Sequence, residues 1–357
     1  MLISGRFLLS LIISALFIGF FILRTDLGDM GEALSSANYF YVIPGIGAYS
    51  IALLFRTIRW KIILRPLGDY KVSRLWPVVT VGYAANNVLP VRLGEIVRAY
   101  YLNIREGPSK TSGLATILVE RVFDGLALLF LVAVVSIFLP VTGLFQDLGQ
   151  QAHVNWLFLT LGLSLPFFTM TAGLIAMAIW PQLIEGLVAR FLGLMPKRFQ
   201  PAATALSTQF LLGLSALRYP RRLGAIFLLS VPVWLSEAAM YFLIALGFDL
   251  QDYFSSMSLL AGVLILTTAT SNMGTAIPST GGGVGPFEFF AQATLVFFAV
   301  DVSVASAYVL VLHAALLMPI TALGLVYVWL SHSSLAELAR ASQDNTKVPK
   351  PDSVGSG

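Results

Sequence analysis

The sequence predicts an all-α, polytopic membrane protein with about eight membrane helices. Of its 357 residues, 57% are hydrophobic and only 11% are charged, whereas a soluble domain carries about 25% charged residues. The apolar residues form runs of 17 or more, long enough to cross about 30 Å of hydrocarbon. Lysine and arginine collect between these runs. Together these observations exclude an ordinary soluble enzyme and give no sign of nucleic-acid binding.

Seven segments are apolar and long enough to be full membrane spans. They are residues 7–23, 39–55, 114–138, 156–180, 223–247, 257–277 and 304–330. Two more apolar stretches, 75–91 and 287–300, are too short or too polar for a comfortable span. At 1.5 Å per residue the second reaches only about 21 Å, so it must begin inside the membrane or be re-entrant.

The distribution of basic residues predicts the orientation, because lysine and arginine near helix ends collect on the cytoplasmic side. One topology places all of the 22 basic residues there except Arg24 and Arg121. It requires 75–91 to enter and leave by the same face, as a re-entrant hairpin. Both termini are then cytoplasmic. We expect a single transmembrane domain, 1–330, in the cytoplasmic (inner or plasma) membrane and a disordered cytoplasmic tail, 331–357.

Polar residues end the predicted hairpin at Asn86 and Asn87. Arg92, Glu95 and Arg98 follow at spacings of three, on one face of a short amphipathic helix. Both arginines can reach Glu95 and keep donors for a phosphate, which a guanidinium binds as a planar fork. The alternative is a solvated helix with routine ion pairs.

Two further groups of charged residues lie in or beside predicted spans. Glu120, Arg121 and Asp124 open the third full span and can pair within one helical turn, although a simple helix-end ion pair is the alternative. Glu237 lies near mid-bilayer, where a carboxyl group needs a proton, a cation or a paired charge. We expect it to face a polar cavity, with Arg59, Arg98 or Arg121 as its partner.

A glycine-rich break interrupts hydrophobic sequence between Asn272 and Glu288. Non-helical backbone at this depth is tolerated only where it lines a cavity or is buried in protein. Gly281, Gly282 and Gly283 would let main-chain N–H groups approach a ligand, and a helix beginning at Pro286 would favour an anion at its N-terminus. Helix breaks at corresponding positions of two sequence halves are typical of transporters with an inverted repeat. The residue spacings in the two breaks of this chain differ, so their similarity could also arise by chance.

The remaining chemistry is limited. The absence of cysteine excludes disulfides and thiolate sites, and three histidines leave little for zinc. We therefore predict no cofactor. His313, in the last span, is interpreted as an interhelical hydrogen-bonding group rather than a proton carrier.

These motifs resemble the lysylphosphatidylglycerol synthetase transmembrane-region family of flippase-like proteins. The resemblance extends over nearly the whole chain. It rests on Arg56 to Trp60, Asn87 to Glu95 with Arg98, Glu120-Arg121 with Asp124, and Pro278 to Glu288. It implies a membrane domain with re-entrant helices that translocates phospholipids or polyprenyl-linked lipids. We expect no counterpart of the cytosolic aminoacyl-transferase domain of the bifunctional members, so the resemblance does not imply lipid lysinylation.

The leading hypothesis is a lipid flippase or transporter, not an enzyme, for an anionic phospholipid or polyprenyl-phosphate lipid. Arginines would capture the phosphate, a central polar cavity would carry it, and the tails would stay in lipid. One alternative is a membrane-embedded glycosyltransferase that uses a polyprenyl-phosphate sugar, with Asp26 and Asp29 as candidate acids. Another is an accessory lipid-binding protein. A homo-oligomer remains open.

Overall fold

The computed structural model describes residues 5–89, 93–151, 155–180, 200–277 and 279–330, together with 182, 183, 186 and 190. The regular secondary structure of these residues is helical throughout, as predicted. The α-helices are α1 (Gly5–Leu23), α2 (Leu27–Ser36), α3 (Val42–Leu64), α4 (Val72–Val88), α5 (Gly94–Glu106), α6 (Lys110–Val135), α7 (Val141–Gln151), α8 (Trp156–Ile179), α9 (Gln200–Leu214), α10 (Pro220–Leu246), α11 (Met257–Gly274), α12 (Pro286–Phe297) and α13 (Val302–Leu330). The tail expected at 331–357 lies outside the described residues.

Membrane-spanning length and apolar composition are met by four segments of the described chain. They are Tyr39–Leu64, Pro220–Leu246, Met257–Gly274 and Val302–Leu330, and α1 with α2, bent by 85°, would make a fifth. The expected number of about eight is therefore not confirmed. Helix α6 fails this test because Glu120, Arg121 and Asp124 interrupt its apolar sequence.

The sequence-based prediction ends the second span too early. It was expected to stop at residue 55, followed by a cytoplasmic loop, but α3 continues to Leu64 and carries Arg56 and Arg59 inside the protein. Arg59 has no exposed surface. Carboxylates on neighbouring helices compensate these charges, which a hydropathy profile of α3 cannot register.

Helices α4 and α5 form an antiparallel hairpin. Arg74 and Glu106 lie together at its open end, with 3.8 Å between Nη1 and Oε2. Near the tip, Gly94 packs so closely that an added Cβ would lie 2.4 Å from the main-chain nitrogen of Asn86. The two flanks of the predicted re-entrant segment therefore lie at the same end of the hairpin, while its place in the membrane stays a prediction.

Helices α11 and α12 form a second antiparallel hairpin, joined by the glycine segment. The hydroxyls of Thr270 and Thr294 bind across it at 2.8 Å. At the tip, Gly282, Gly283 and Gly285 have φ angles of 76°, 81° and 101°, a region that disfavours side chains. This local geometry explains why the segment between the two helices is rich in glycine.

The tips of the two hairpins contact each other. An added Cβ on Gly281 would lie 2.5 Å from the carbonyl oxygen of Asn87. Asn87 also donates through Nδ2 to the carbonyl of Leu317 at 3.3 Å and to the hydroxyl of Thr321 at 3.0 Å. These bonds attach the tip of the first hairpin to α13. Both helix breaks thus meet at one point of the fold, although an inverted repeat is not confirmed.

Two apolar clusters make up most of the buried apolar core of the described residues. The first includes Trp60, Ile63 and Leu102 among α3 to α6, and the second includes Ile244 and Tyr308 among α10 to α13. Charged side chains such as Arg59 and Glu120, which have no exposed surface, are therefore buried within a largely apolar interior.

Candidate functional site

A cavity of about 320 Å³ lies where the two hairpin tips meet. Its walls come from both tips and from the middle of α3, α6, α10 and α13. The polar and charged residues that line it are Tyr49, Arg56, Tyr83, Asn86, Asn87, Glu95, Arg121, Asp124, Trp234, Glu237, Asn272, Thr275, Ser279, Thr280 and His313. The sequence-based expectation that Glu237 faces a polar cavity agrees with this geometry.

Arg56 is the partner of Glu237. Its Nη2 lies 2.5 Å from Oε2 of Glu237, and its Nη1 donates to the hydroxyl of Tyr83 at 2.7 Å. The Trp234 ring lies 4.7 Å from the Arg56 guanidinium. Asn272 donates to the other oxygen of Glu237 at 2.9 Å.

The partners predicted for Glu237 from the sequence were therefore wrong. Arg59 and Arg98 are committed to other carboxylates, and Arg121 binds elsewhere in the cluster. Arg56 was missed because it was placed in a loop after the second span. Its spacing of three from Arg59 puts both on one face of α3, and this was the available signal.

Arg59 and Arg98 converge on α6. Arg59 Nη1 lies 2.8 Å from Oδ1 of Asp124 and its Nη2 lies 3.6 Å from Oε1 of Glu120. Arg98 binds both oxygens of Glu120, at 3.1 and 2.9 Å, and its guanidinium lies 3.8 Å from the Trp60 ring. The expected pairing of Arg98 with Glu95 is wrong, because Arg98 turns from α5 towards α6.

Arg121 is the partly exposed arginine of the cluster. Its Nε lies 3.5 Å from Oε1 of Glu95, with side-chain exposures of 26% and 27%. It also contacts Glu120 at 3.3 Å and Asp124 at 3.5 Å, so the triad expected at the start of the third span does form, but in the middle of α6. Arg121 Nη2 donates to the Tyr83 hydroxyl at 3.0 Å.

The cluster is balanced in formal charge. Four arginines face four carboxylates, and every one of the eight makes an ion pair with another member. They are Arg56, Arg59, Arg98, Arg121, Glu95, Glu120, Asp124 and Glu237. Arg92, also expected to bind a headgroup, lies outside the described residues, as does Pro278.

The opposite wall of the cavity is held by Glu288 and His313. Glu288 accepts the main-chain N–H of Gly285 at 2.7 Å, and its other oxygen lies 2.6 Å from His313 Nδ1. His313 Nε2 lies 3.1 Å from the carbonyl of Gly282. The helix N-terminus expected to favour an external anion therefore has the carboxyl group of Glu288 over its first turn.

Main-chain geometry and unpartnered atoms complete the site. Gly282 and Gly283 line the cavity, while Gly281 makes the contact between the tips. Asn86 also lines the cavity, and its Oδ1 has no hydrogen-bond partner among the described residues.

Asp26, a candidate acid of the enzyme hypothesis, accepts hydrogen bonds from the main-chain N–H groups of Gly28 and Asp29 and so caps α2.

Comparison with known proteins gives several relatives. Glycosyltransferase AglD from Haloferax volcanii is 26% identical over 295 residues, covering 78% of this chain and 46% of that protein. A UPF0104 membrane protein from Methanocaldococcus jannaschii is 33% identical over 152 residues, or 42% of this chain and 45% of the relative. Another from Methanothermobacter thermautotrophicus is 35% identical over 107 residues, 29% and 32% of the two chains.

Each of these matches spans less than half of the relative's length. No solved structure matches the chain significantly. The family model described as "Lysylphosphatidylglycerol synthase TM region" matches residues 7–324. This match covers the helices, both hairpins and the charged cluster, and the chain is therefore a multi-pass membrane protein that belongs to the lysylphosphatidylglycerol synthase transmembrane-region family.

Proposed function

We propose that the protein is a flippase that moves a lipid with a phosphate headgroup between bilayer leaflets. The observation that carries the proposal is that the tips of two helical hairpins, where the helices are interrupted, meet beside one polar cavity. Broken helices near the midplane of a transporter provide main-chain and charged groups for a substrate without exposing them to lipid. The proposed substrate is a phospholipid or a polyprenyl-phosphate-linked lipid.

The headgroup would enter the cluster beside Arg121. This arginine lines the cavity and keeps about a quarter of its side chain exposed, whereas Arg98 and Arg59 are buried against Glu120 and Asp124. A phosphate could therefore approach the exposed part of Arg121, whereas it would have to displace a fully buried arginine–carboxylate pair to reach Arg98 or Arg59. Leu128, Leu316 and Leu317 also line the cavity and would contact the apolar part of the lipid.

The proposed orientation places both termini in the cytoplasm and the open end of the α4–α5 hairpin at the cytoplasmic face. Headgroups from the inner leaflet would then approach the cavity past α5. Asn86 and Asn87 at the hairpin tip would line this approach, and the glycine segment would line the far side.

Reconstitution tests the proposal. Purified protein is placed in liposomes that contain nitrobenzoxadiazole-labelled phosphatidylglycerol, and dithionite measures the fraction of label that reaches the outer leaflet. We expect translocation faster than in protein-free liposomes, and about tenfold slower with Arg121→Gln, because a hydrogen bond to a charged group is worth about 1.5–3 kcal/mol. Lys61→Gln, which changes an exposed charge, is the matched control. Equal rates with and without protein would reject the flippase for this lipid.

A second candidate is a membrane-embedded glycosyltransferase. The observation in its favour is the name of the relative from Haloferax volcanii, which aligns with 78% of this chain. The same liposomes, supplied with a polyprenyl-phosphate sugar and an acceptor lipid, separate the two. Donor consumption would support the enzyme, and lipid crossing without a donor would support the flippase. Neither activity would indicate an accessory lipid-binding protein.

A further inference from the structure

Two hydrogen-bond donors beside Arg56 have no acceptor among the described residues. The Tyr83 hydroxyl oxygen accepts one N–H from Arg56 and one from Arg121. Its lone pairs are thereby used, and its own O–H hydrogen is left to donate. Trp234 Nε1 likewise has no partner, although Trp234 is only 4% exposed.

The rings that carry these two donors pack against the same guanidinium. The ring centroids of Tyr83 and Trp234 are 5.4 and 4.7 Å from the Arg56 Cζ, and all three residues line the cavity. A buried donor without an acceptor costs about 1–3 kcal/mol, and most buried polar groups in native proteins are paired. The buried, unpartnered Nε1 of Trp234 and the uncommitted hydroxyl hydrogen of the partly buried Tyr83 at one cation therefore indicate that an acceptor binds there.

The chemistry of that acceptor follows from the donors. Arg56 contributes positive charge, and Tyr83 and Trp234 contribute neutral, directional hydrogen bonds. A phosphate presents several oxygens to separate donors, each of which accepts more strongly because the group is charged. A neutral glycerol or polyprenol headgroup lacks this charge. Glu237 already binds Arg56 and Asn272, so the remaining donors are those that an incoming anion can use.

We propose that Tyr83 and Trp234 are specificity-determining residues that donate hydrogen bonds to a phosphate oxygen of the lipid headgroup beside Arg56. This inference rests on the proposed function and adds to it the residues that distinguish a phosphate lipid from a neutral one. Neither residue stood out in the sequence, because aromatic residues are common in membrane helices.

Binding selectivity tests the inference. The full-length protein in detergent is titrated calorimetrically with dihexanoyl phosphatidylglycerol and with dihexanoylglycerol, which lacks the phosphate. We expect the wild-type protein to prefer the phosphate probe. Tyr83→Phe and Trp234→Phe should each weaken binding of that probe about tenfold to a hundredfold and change binding of the neutral probe less than about twofold.

Tyr101→Phe is the matched control. It also removes a buried hydroxyl without a partner from a ring that lies beside an arginine, Arg105, but Tyr101 does not line the cavity. It should leave the preference unchanged. A general loss of structure would weaken both probes together, whereas loss of a donor lowers the ratio between them.

The outcomes separate the inference from the proposed function. If both aromatic variants keep the wild-type preference, the donors serve only ordered water and the inference is overturned, while translocation in liposomes still supports a flippase. If the wild-type protein shows no preference, the inference fails as well. Tyr83→Phe also removes the acceptor of two arginines; if that variant does not fold, Trp234→Phe, which keeps those bonds, decides the result.

Discussion

Arg56 and Arg59 lie three residues apart on one face of α3 and bind carboxylates on two different helices. Arg56 pairs with Glu237 of α10, and Arg59 pairs with Asp124 of α6. Helix α3 therefore connects α6 and α10 through charges that are compensated inside the protein. These contacts make α3 part of the site rather than a simple membrane anchor.

Removal of one partner of the Arg56 pair should destabilise the protein. Glu237→Ala leaves a buried guanidinium without its carboxylate, which costs about 3–5 kcal/mol. We expect the double variant Arg56→Ala/Glu237→Ala to lose less than the sum of the single changes. Thermal unfolding in detergent measures this. Lys61→Ala, at an exposed pair with Asp69, should cost less than about 1 kcal/mol, and additive losses at Arg56 and Glu237 would argue against their coupling.

Arg98 and Arg121 should differ in what their substitution changes. Arg98→Gln removes a buried bidentate partner of Glu120 and should lower stability by about 3–5 kcal/mol. Arg121→Gln affects a partly exposed side chain and should lower the rate of lipid translocation with a smaller loss of stability. Unfolding and dithionite assays on the same preparations compare them. A larger stability loss for Arg121→Gln would reverse the assignment of structural and substrate-binding roles.

The sequence predicted the helical class, both hairpin breaks and the charged residues of α6, because these depend on local composition and spacing. It did not predict the partners of Glu237 or Arg98. Those pairings join helices distant in sequence and depend on how α3, α6 and α10 pack. Hydropathy also placed Arg56 outside the protein, since a one-dimensional profile assigns charge to water even where another helix compensates it.

Gly94 should not tolerate a larger side chain. An added Cβ would lie 2.4 Å from both the Asn86 nitrogen and the Gly82 carbonyl oxygen, and overpacking of this kind costs about 1–3 kcal/mol or more. Gly94→Ala should therefore lower the unfolding temperature. Gly47→Ala is the control: it lies in α3 with no atom within 4 Å of the added Cβ and should be neutral or gain up to about 1 kcal/mol. Equal stability of the two variants would contradict the close contact at the hairpin tip.

The flanks of the α4–α5 hairpin should be accessible from one side of the membrane. The chain contains no cysteine, so Ser73→Cys and Ser109→Cys each introduce a single thiol. Both should react with a membrane-impermeant maleimide from the cytoplasmic side, because residues 74 and 106 lie together at the open end of the hairpin. A cysteine at Ser35 of α2, on the predicted outer side, serves as the opposite-side control. Labelling of Ser73→Cys and Ser109→Cys from opposite sides would contradict the re-entrant arrangement.

The charge balance of the eight-residue cluster has an electrical consequence. Its four arginines are already balanced by its four carboxylates, so a monoanionic headgroup that crosses without a co-transported cation moves one negative charge through the membrane potential. At 100 mV, inside negative, that charge is worth about 2.3 kcal/mol in the outward direction, or a roughly fiftyfold bias between leaflets. The voltage across the bilayer alone would then be enough to set the direction of lipid movement.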